Sequence, residues 1–263
     1  MSICIAIAVP DGIALAADSQ ITWNQTITQV KEKGTGRIVE LEQPISMPIS
    51  WSKMARKLFS LEMAGNKYAA CIAGAAILNS KTIFSIFKAL EGSYKGSADY
   101  NEIVKYFVDG LKTELKRHFK IDEISKATQI LVIDFILTGY ENRDVSKPII
   151  EHHAVFSGTP IIDNKPNNSA YIKRWSNQTN SRFGGCWIGR TEFITHIVNH
   201  GKKDLPPISG QFELMSLSDT IDYTKFLVEF TCDFQRFAVM VPDCGRPIIS
   251  ATLTPDKYEE KII

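Results

Sequence analysis

The chain begins Met1-Ser2-Ile3 and continues to Ser19 as MSICIAIAVPDGIALAADS. Two apolar runs, Ile3 to Val9 and Ile13 to Ala17, flank Pro10-Asp11-Gly12. Proline presets the backbone for a turn, and glycine supplies the conformations other residues avoid. The spacing therefore predicts a β-hairpin. Both runs are almost free of polar side chains, as expected of strands covered on two faces. The same stretch contains Ala14-Leu15-Ala16, which looks like a signal-peptidase site. Two features oppose an export signal: the first basic residue is Lys31, and the turn at Pro10 to Gly12 interrupts the apolar region.

The composition narrows the function classes. With 30 basic and 29 acidic residues the net charge is +1, so no overall field attracts nucleic acid or an anionic membrane. No apolar run approaches the roughly 20 residues of a membrane helix. The five cysteines, at 4, 71, 186, 232 and 244, form no CxxC pair and read as reduced, buried thiols of a cytoplasmic protein. The chain of 263 residues is expected to form a single domain, 1–263, with an atypical insertion at about 24–54.

Downstream, residues 24–54 mix glycine, proline and polar residues and read as a long loop or an extra hairpin. Strands are expected at Arg56 to Glu62 and Lys67 to Ala73, then a helix carrying Ile77, Ile83, Phe84, Phe87 and Leu90. A second helix spans about Asp99 to Phe119, and strands follow at Gln129 to Thr138 and Ile149 to Phe156. Residues 160–180 read as a loop. FGGCWIG at 183–189 ends a strand, helices cover Arg190 to His200 and Leu217 to about Cys232, and strands at Arg236 to Val241 and Pro247 to Thr254 close the chain. Alternation of strands with pairs of helices is the order of an α+β fold in four layers, an α/β/β/α sandwich.

A strand that begins directly after the second residue has a chemical consequence. Ser2 is small, so removal of Met1 is expected, leaving a serine that carries both a hydroxyl and a free α-amino group. An α-amino group has a pKa of about 7.7–8.0, so near neutrality it can serve as the base for its own hydroxyl. Ser2, the apolar strand, the Asp11-Gly12 turn and GIALAADS resemble the start of proteasome β-type subunits and their bacterial relatives of the HslV and Anbu kind, which are N-terminal-nucleophile (Ntn) hydrolases. The resemblance covers most of the chain outside 24–54. It implies a nucleophile at Ser2 and a partner aspartate at Asp18.

The same resemblance implies a lysine bound to that aspartate. Lys57, in KLFSL before an apolar strand, matches the family pattern, whereas Lys33 stands nearer the customary spacing from Asp18. It also implies an oxyanion donor at Gly74, where a strand hands over to a helix; a tight turn would require glycine there as well. Two accessory positions depart from the pattern. Arg190 or Thr191 stands where a serine is customary, and the second acid falls on Glu229 or Asp233, with Cys232 nearby.

No cofactor and no metal are expected. Glu192, His196 and His200 recur at four-residue spacing, but without a supporting cluster they read as the polar side of a helix. Cys4 reads as core. The resemblance implies a peptidase acting on peptide or protein substrates, assembled as a homo-oligomer in a ring or helical stack, with an ATP-dependent unfoldase as candidate partner. An amidase of the same fold and a catalytically silent assembly subunit are the alternatives. Oligomeric state separates the amidase from the peptidase.

Overall fold

In the computed structural model the first hairpin forms as its sequence dictates: β1 (Ile3–Val9) pairs antiparallel with β2 (Gly12–Asp18), Ile7 opposite Ala14. The structure describes residues 2–52, 55–127, 129–162, 165–167, 169–180, 182–199, 211–237 and 242–262. After the hairpin come β3 (Ile21–Lys31), β4 (Ile38–Ser52), β5 (Leu58–Met63), β6 (Asn66–Gly74), β7 (Ile77–Leu78), β8 (Lys81–Thr82), α1 (Ile83–Ser93) and α2 (Tyr100–Phe119). The second half holds β9 (Val132–Tyr140), β10 (Pro148–Phe156), β11 (Ile161–Ile162), β12 (Lys165–Pro166), β13 (Tyr171–Ser176), α3 (Asn177–Asn180), β14 (Gly184–Gly189), α4 (Glu192–Asn199), α5 (Leu217–Phe237), β15 (Ile248–Leu253) and β16 (Tyr258–Ile262).

Two five-stranded sheets result, ordered β14-β1-β2-β15-β16 and β13-β10-β9-β6-β5. The first strand shows how they are covered. Successive side chains of a strand point to opposite faces, and β1 alternates large and small. Ile3, Ile5, Ile7 and Val9 pack with Ile194 and Val198 of α4 and Leu227 and Val228 of α5. Cys4, Ala6 and Ala8 pack instead with Ala69, Cys71 and Ala73 of the other sheet. Small residues in the seam between sheets and branched ones under the helices let the sheets approach closely. The far side of the second sheet is aromatic: Phe59 and Phe135 meet Phe87 of α1, and Phe87 stacks on Phe107 of α2 with centroids 4.8 Å apart.

Of the two readings of residues 24–54, long loop or extra hairpin, the structure shows the hairpin: β3 and β4 pair with each other and, among the described residues, join neither large sheet. Elsewhere the structure departs from the sequence expectations in several places. Ile77 precedes the helix, in the short β7–β8 pair, and Thr82 caps α1 by accepting the Ser85 N–H. α2 lies where it was expected, from Tyr100 to Phe119, with Asp99 as its N-cap accepting the N–H groups of Asn101 and Glu102. Within the expected loop 160–180 lies β13, an edge strand that pairs with β10 across a bulge at His152/His153; its polar, alternating side chains hid it. Arg236 belongs to the last turn of α5 and not to a strand, and 238–241 lie outside the described residues. β16 was not foreseen, because YEEKI is a charged edge strand.

The packed seam predicts a size asymmetry along β1. Ala6→Leu should lower stability by about 1–3 kcal/mol through overpacking, whereas Ile5→Val should cost only about 0.5–1.5 kcal/mol. Urea midpoints of the two variants measure the difference.

Candidate active site

Four of the predicted residues are brought to one end of the sheets. Ser2 precedes β1 and is 5% exposed, while Asp18 ends β2 and is fully buried. A carboxylate without solvent needs charge and donors around it. Its Oδ1 accepts the Lys57 ammonium at 2.8 Å and the Ile3 N–H at 2.9 Å. Its Oδ2 accepts the backbone N–H groups of Gln20 and Gly245, each at 3.1 Å. Lys57 also donates to the Gln20 carbonyl, and its own carbonyl accepts the Ile72 N–H at 2.8 Å. Lys33, the other candidate, is exposed in the turn between β3 and β4.

The backbone at Ser2 is clamped. Arg190 N–H donates to the Ser2 carbonyl at 2.7 Å. Gly189, opposite Ile3 in the register, has φ +91°, and a Cβ there would lie 1.7 Å from that same oxygen. Glycine is therefore the residue that lets β14 approach the nucleophile candidate so closely. Gly74 is constrained likewise: φ is +86°, and a Cβ would lie 2.2 Å from the Val132 carbonyl, which accepts the Ala75 N–H at 2.8 Å. Ser2, Lys57 and Gly74 line one cleft of about 480 Å³, with Ile77, Ile83 and Phe84 among its apolar walls. A larger groove, about 670 Å³ and lined by Tyr68, Tyr100 and Arg182 among others, includes none of these residues.

Three solved structures resemble the chain in fold over nearly its whole length. The Gly-1 mutant of Anbu from Hyphomicrobium sp. strain MC1 matches at TM-score 0.55 and 13% identity, covering 100% of this chain and 87% of that one. Anbu (ancestral beta-subunit) from Yersinia bercovieri matches at 0.52 and 14%, covering 98% and 86%. A structure of the helical assembly of the Anbu complex from Pseudomonas aeruginosa matches at 0.52 and 13%, covering 99% and 86%. The chain shares its fold with the Anbu proteins. No protein-family model matches the sequence, and no curated protein does.

On this Anbu-like fold the accessory candidates separate. Arg190 points its Nε at Asp243 Oδ2, 2.9 Å away. Thr191 stands before α4, where its carbonyl accepts the Thr195 N–H at 2.8 Å. Glu229 and Asp233 both lie against Arg246, at 3.4 and 3.3 Å. The acid bonded to the residue that clamps Ser2 is Asp243, which is not among the residues singled out in the sequence. Gln235, fully buried on α5, donates to Asp243 Oδ1 at 2.9 Å and accepts the N–H groups of Asp243 and Cys244 at 3.0 and 3.1 Å. The only signal in the sequence was a lone glutamine facing inward on an amphipathic helix.

Two thiols border the site. Burial, reinforced by the Asp18 carboxylate, pushes Cys232 up to about 12 and Cys244 higher still, so neither supplies a thiolate near neutral pH. Among the described residues no group of three His, Cys, Asp or Glu side chains is arranged to hold a metal ion; His200 lies outside those residues.

Removing the ammonium leaves Asp18 buried without a counter-charge. Lys57→Ala is therefore expected to cost about 3–5 kcal/mol of stability, while Lys33→Ala, on the surface, stays within about 0.5 kcal/mol. Chemical denaturation of the two variants makes the comparison.

Proposed function

We propose that the chain is a proteasome-like, N-terminal-nucleophile peptidase that cleaves peptide bonds through Ser2 once Met1 has been removed. The single observation that carries this reading is the buried Lys57–Asp18 pair, bonded to the Ile3 N–H directly beside Ser2 and open to a cleft that also contains Gly74. The reading takes residues 1–263 as one domain in four layers, with the β3–β4 hairpin as its insertion.

The chemistry follows from those positions. The Ser2 hydroxyl attacks the substrate carbonyl, and its proton passes to the Ser2 α-amino group. The Lys57 ammonium, held by Asp18, favours the developing negative charge, and the Gly74 N–H donates to the oxyanion. Collapse of the tetrahedral intermediate breaks the C–N bond, and the leaving amine takes the proton from the α-ammonium. Water, activated by the same amine, then hydrolyses the ester and returns Ser2. The neighbouring thiols, held protonated, leave the hydroxyl as the nucleophile of the site.

Peptides or unfolded proteins are the substrates in this reading. The partner is the chain itself, in a ring or helical stack, as the helical assembly of the Anbu complex suggests. An ATP-dependent unfoldase delivers substrate in the cytoplasm. No described helix is long and apolar enough to cross a membrane.

Intact mass should show the loss of one methionine, and an electrophile that labels N-terminal hydroxyls should modify Ser2. Ser2→Ala should abolish labelling and peptide hydrolysis without lowering the melting temperature. Active protein that retains Met1 would overturn the mechanism. Because the base is the neutral amine, labelling should slow as pH falls below about 8 and reach a plateau above it.

A further inference from the structure

Gln235 is fully buried near the end of α5. A primary amide out of water costs free energy unless its donors and acceptors are used. Here the bonds leave the helix. Oε1 accepts the N–H groups of Asp243 and Cys244 at 3.0 and 3.1 Å, and Nε2 donates to Asp243 Oδ1 at 2.9 Å. The amide can lie only one way round, because turning it over would set its oxygen against a carboxylate oxygen and its NH2 against two N–H donors. Gln235 is therefore a three-point clamp on the turn that follows α5.

That turn reaches both halves of the site. Gly245 N–H donates to Asp18 Oδ2 at 3.1 Å, the Gly245 carbonyl accepts the Ser19 N–H at 3.2 Å, and the Pro242 carbonyl accepts Gln20 Nε2 at 2.8 Å. On the other side Asp243 Oδ2 accepts Arg190 Nε at 2.9 Å, and the Arg190 N–H donates to the Ser2 carbonyl at 2.7 Å. The two oxygens of Asp243 thus divide between Gln235 and Arg190, and the carboxylate relays position from α5 to the residue that holds Ser2. The Arg190 and Asp243 side chains are 22% and 11% exposed, so water competes for that pair. Gln235 supplies the dry end of the relay and fixes how the carboxylate is turned. It lines no part of the cleft that contains Ser2, Lys57 and Gly74, so its effect on chemistry there is indirect.

We propose that Gln235 is a positioning residue for the Ser2 reaction: through Asp243 and Arg190 it holds the Ser2 carbonyl, and through Gly245 it keeps one donor on Asp18. This rests on the reading of Ser2 as the nucleophile and adds to it a residue of the helix layer that lies outside the cleft.

Gln235→Met keeps the length of the side chain and removes its hydrogen bonds. It should slow Ser2 labelling and kcat about ten- to a hundredfold, while KM for a peptide stays within about twofold because the cleft walls are untouched. Val228→Ala removes core packing from the same helix without touching the turn, and should leave labelling within about twofold of wild type. Equal slowing in the two variants would reduce Gln235 to ordinary packing and overturn the proposal. Gln235→Met combined with Arg190→Met should label within about twofold of Gln235→Met alone, since both break one relay; losses that multiply would mean independent action and overturn it as well. Hydrogen exchange at the Arg190 amide reads the clamp without any catalysis, and should quicken about tenfold in Gln235→Met. Unchanged exchange overturns the proposal even where labelling falls. A wild type that takes no label overturns the nucleophile, and the positioning role with it; exchange that still responds to Gln235→Met then separates that failure from a relay that does not exist.

Discussion

The buried carboxylate of Asp18 is the constraint around which this end of the molecule is arranged. A charged group out of water costs several kcal/mol unless its oxygens are satisfied, and both oxygens of Asp18 are doubly bonded to donors: Ile3 and Lys57 on one, Gln20 and Gly245 on the other. Those donors come from the start of β1, the residue before β3, the turn before β15 and the residue before β5. One side chain thus fixes the relative positions of both sheets and of the turn following α5. The arrangement explains why a charged pair persists where an apolar pair would pack as well: Asp18 orients backbone that hydrophobic contact alone would leave unspecified.

Bringing Lys57 to Asp18 depends on the seam between the sheets. Lys57 belongs to the second sheet's side of the molecule, its carbonyl bonded to Ile72 of β6, and its ammonium spans to the first sheet. The alanines and cysteines of β1 and β6, with Ala17 of β2, keep that gap short. Larger side chains would separate the layers and lengthen the ion pair, so the small residues that look unremarkable in the sequence set the geometry of the charged ones. Ala17, which faces the seam beside Asp18, is in that sense part of the site.

What could be read from the sequence, and what could not, follows the range of the interactions. The first hairpin, α2 and the inner strands are carried by local periodicity and lie near where the apolar pattern puts them, while α5 runs past its expected end to Phe237. Asp18, Lys57 and Gly74 were singled out by the resemblance to proteasome β-type and Anbu-like subunits, each beside a strand end that the apolar pattern marks; periodicity alone assigns them no role. β13 and β16 escaped because edge strands carry polar and charged residues whose alternation is weak. Asp243 and Gln235 escaped for a different reason. Their roles come from pairing a helix interior with a turn eight residues on, and nothing in either segment alone distinguishes Asp243 from Glu229 or Asp233.

α5 joins the two themes. Its inward face holds Gln235, which fixes Asp243 and Cys244, and the next residue, Gly245, donates to Asp18. Its outward face carries Phe226, Phe230, Phe234 and Phe237, one helix diameter away, about 10 Å. A slide of α5 along its axis would break the Gln235 bonds and loosen Gly245, and with it a donor to Asp18. The physical link between α5 and the site is the rigidity of a single helix, and it needs no movement of the strands that carry Ser2 and Asp18.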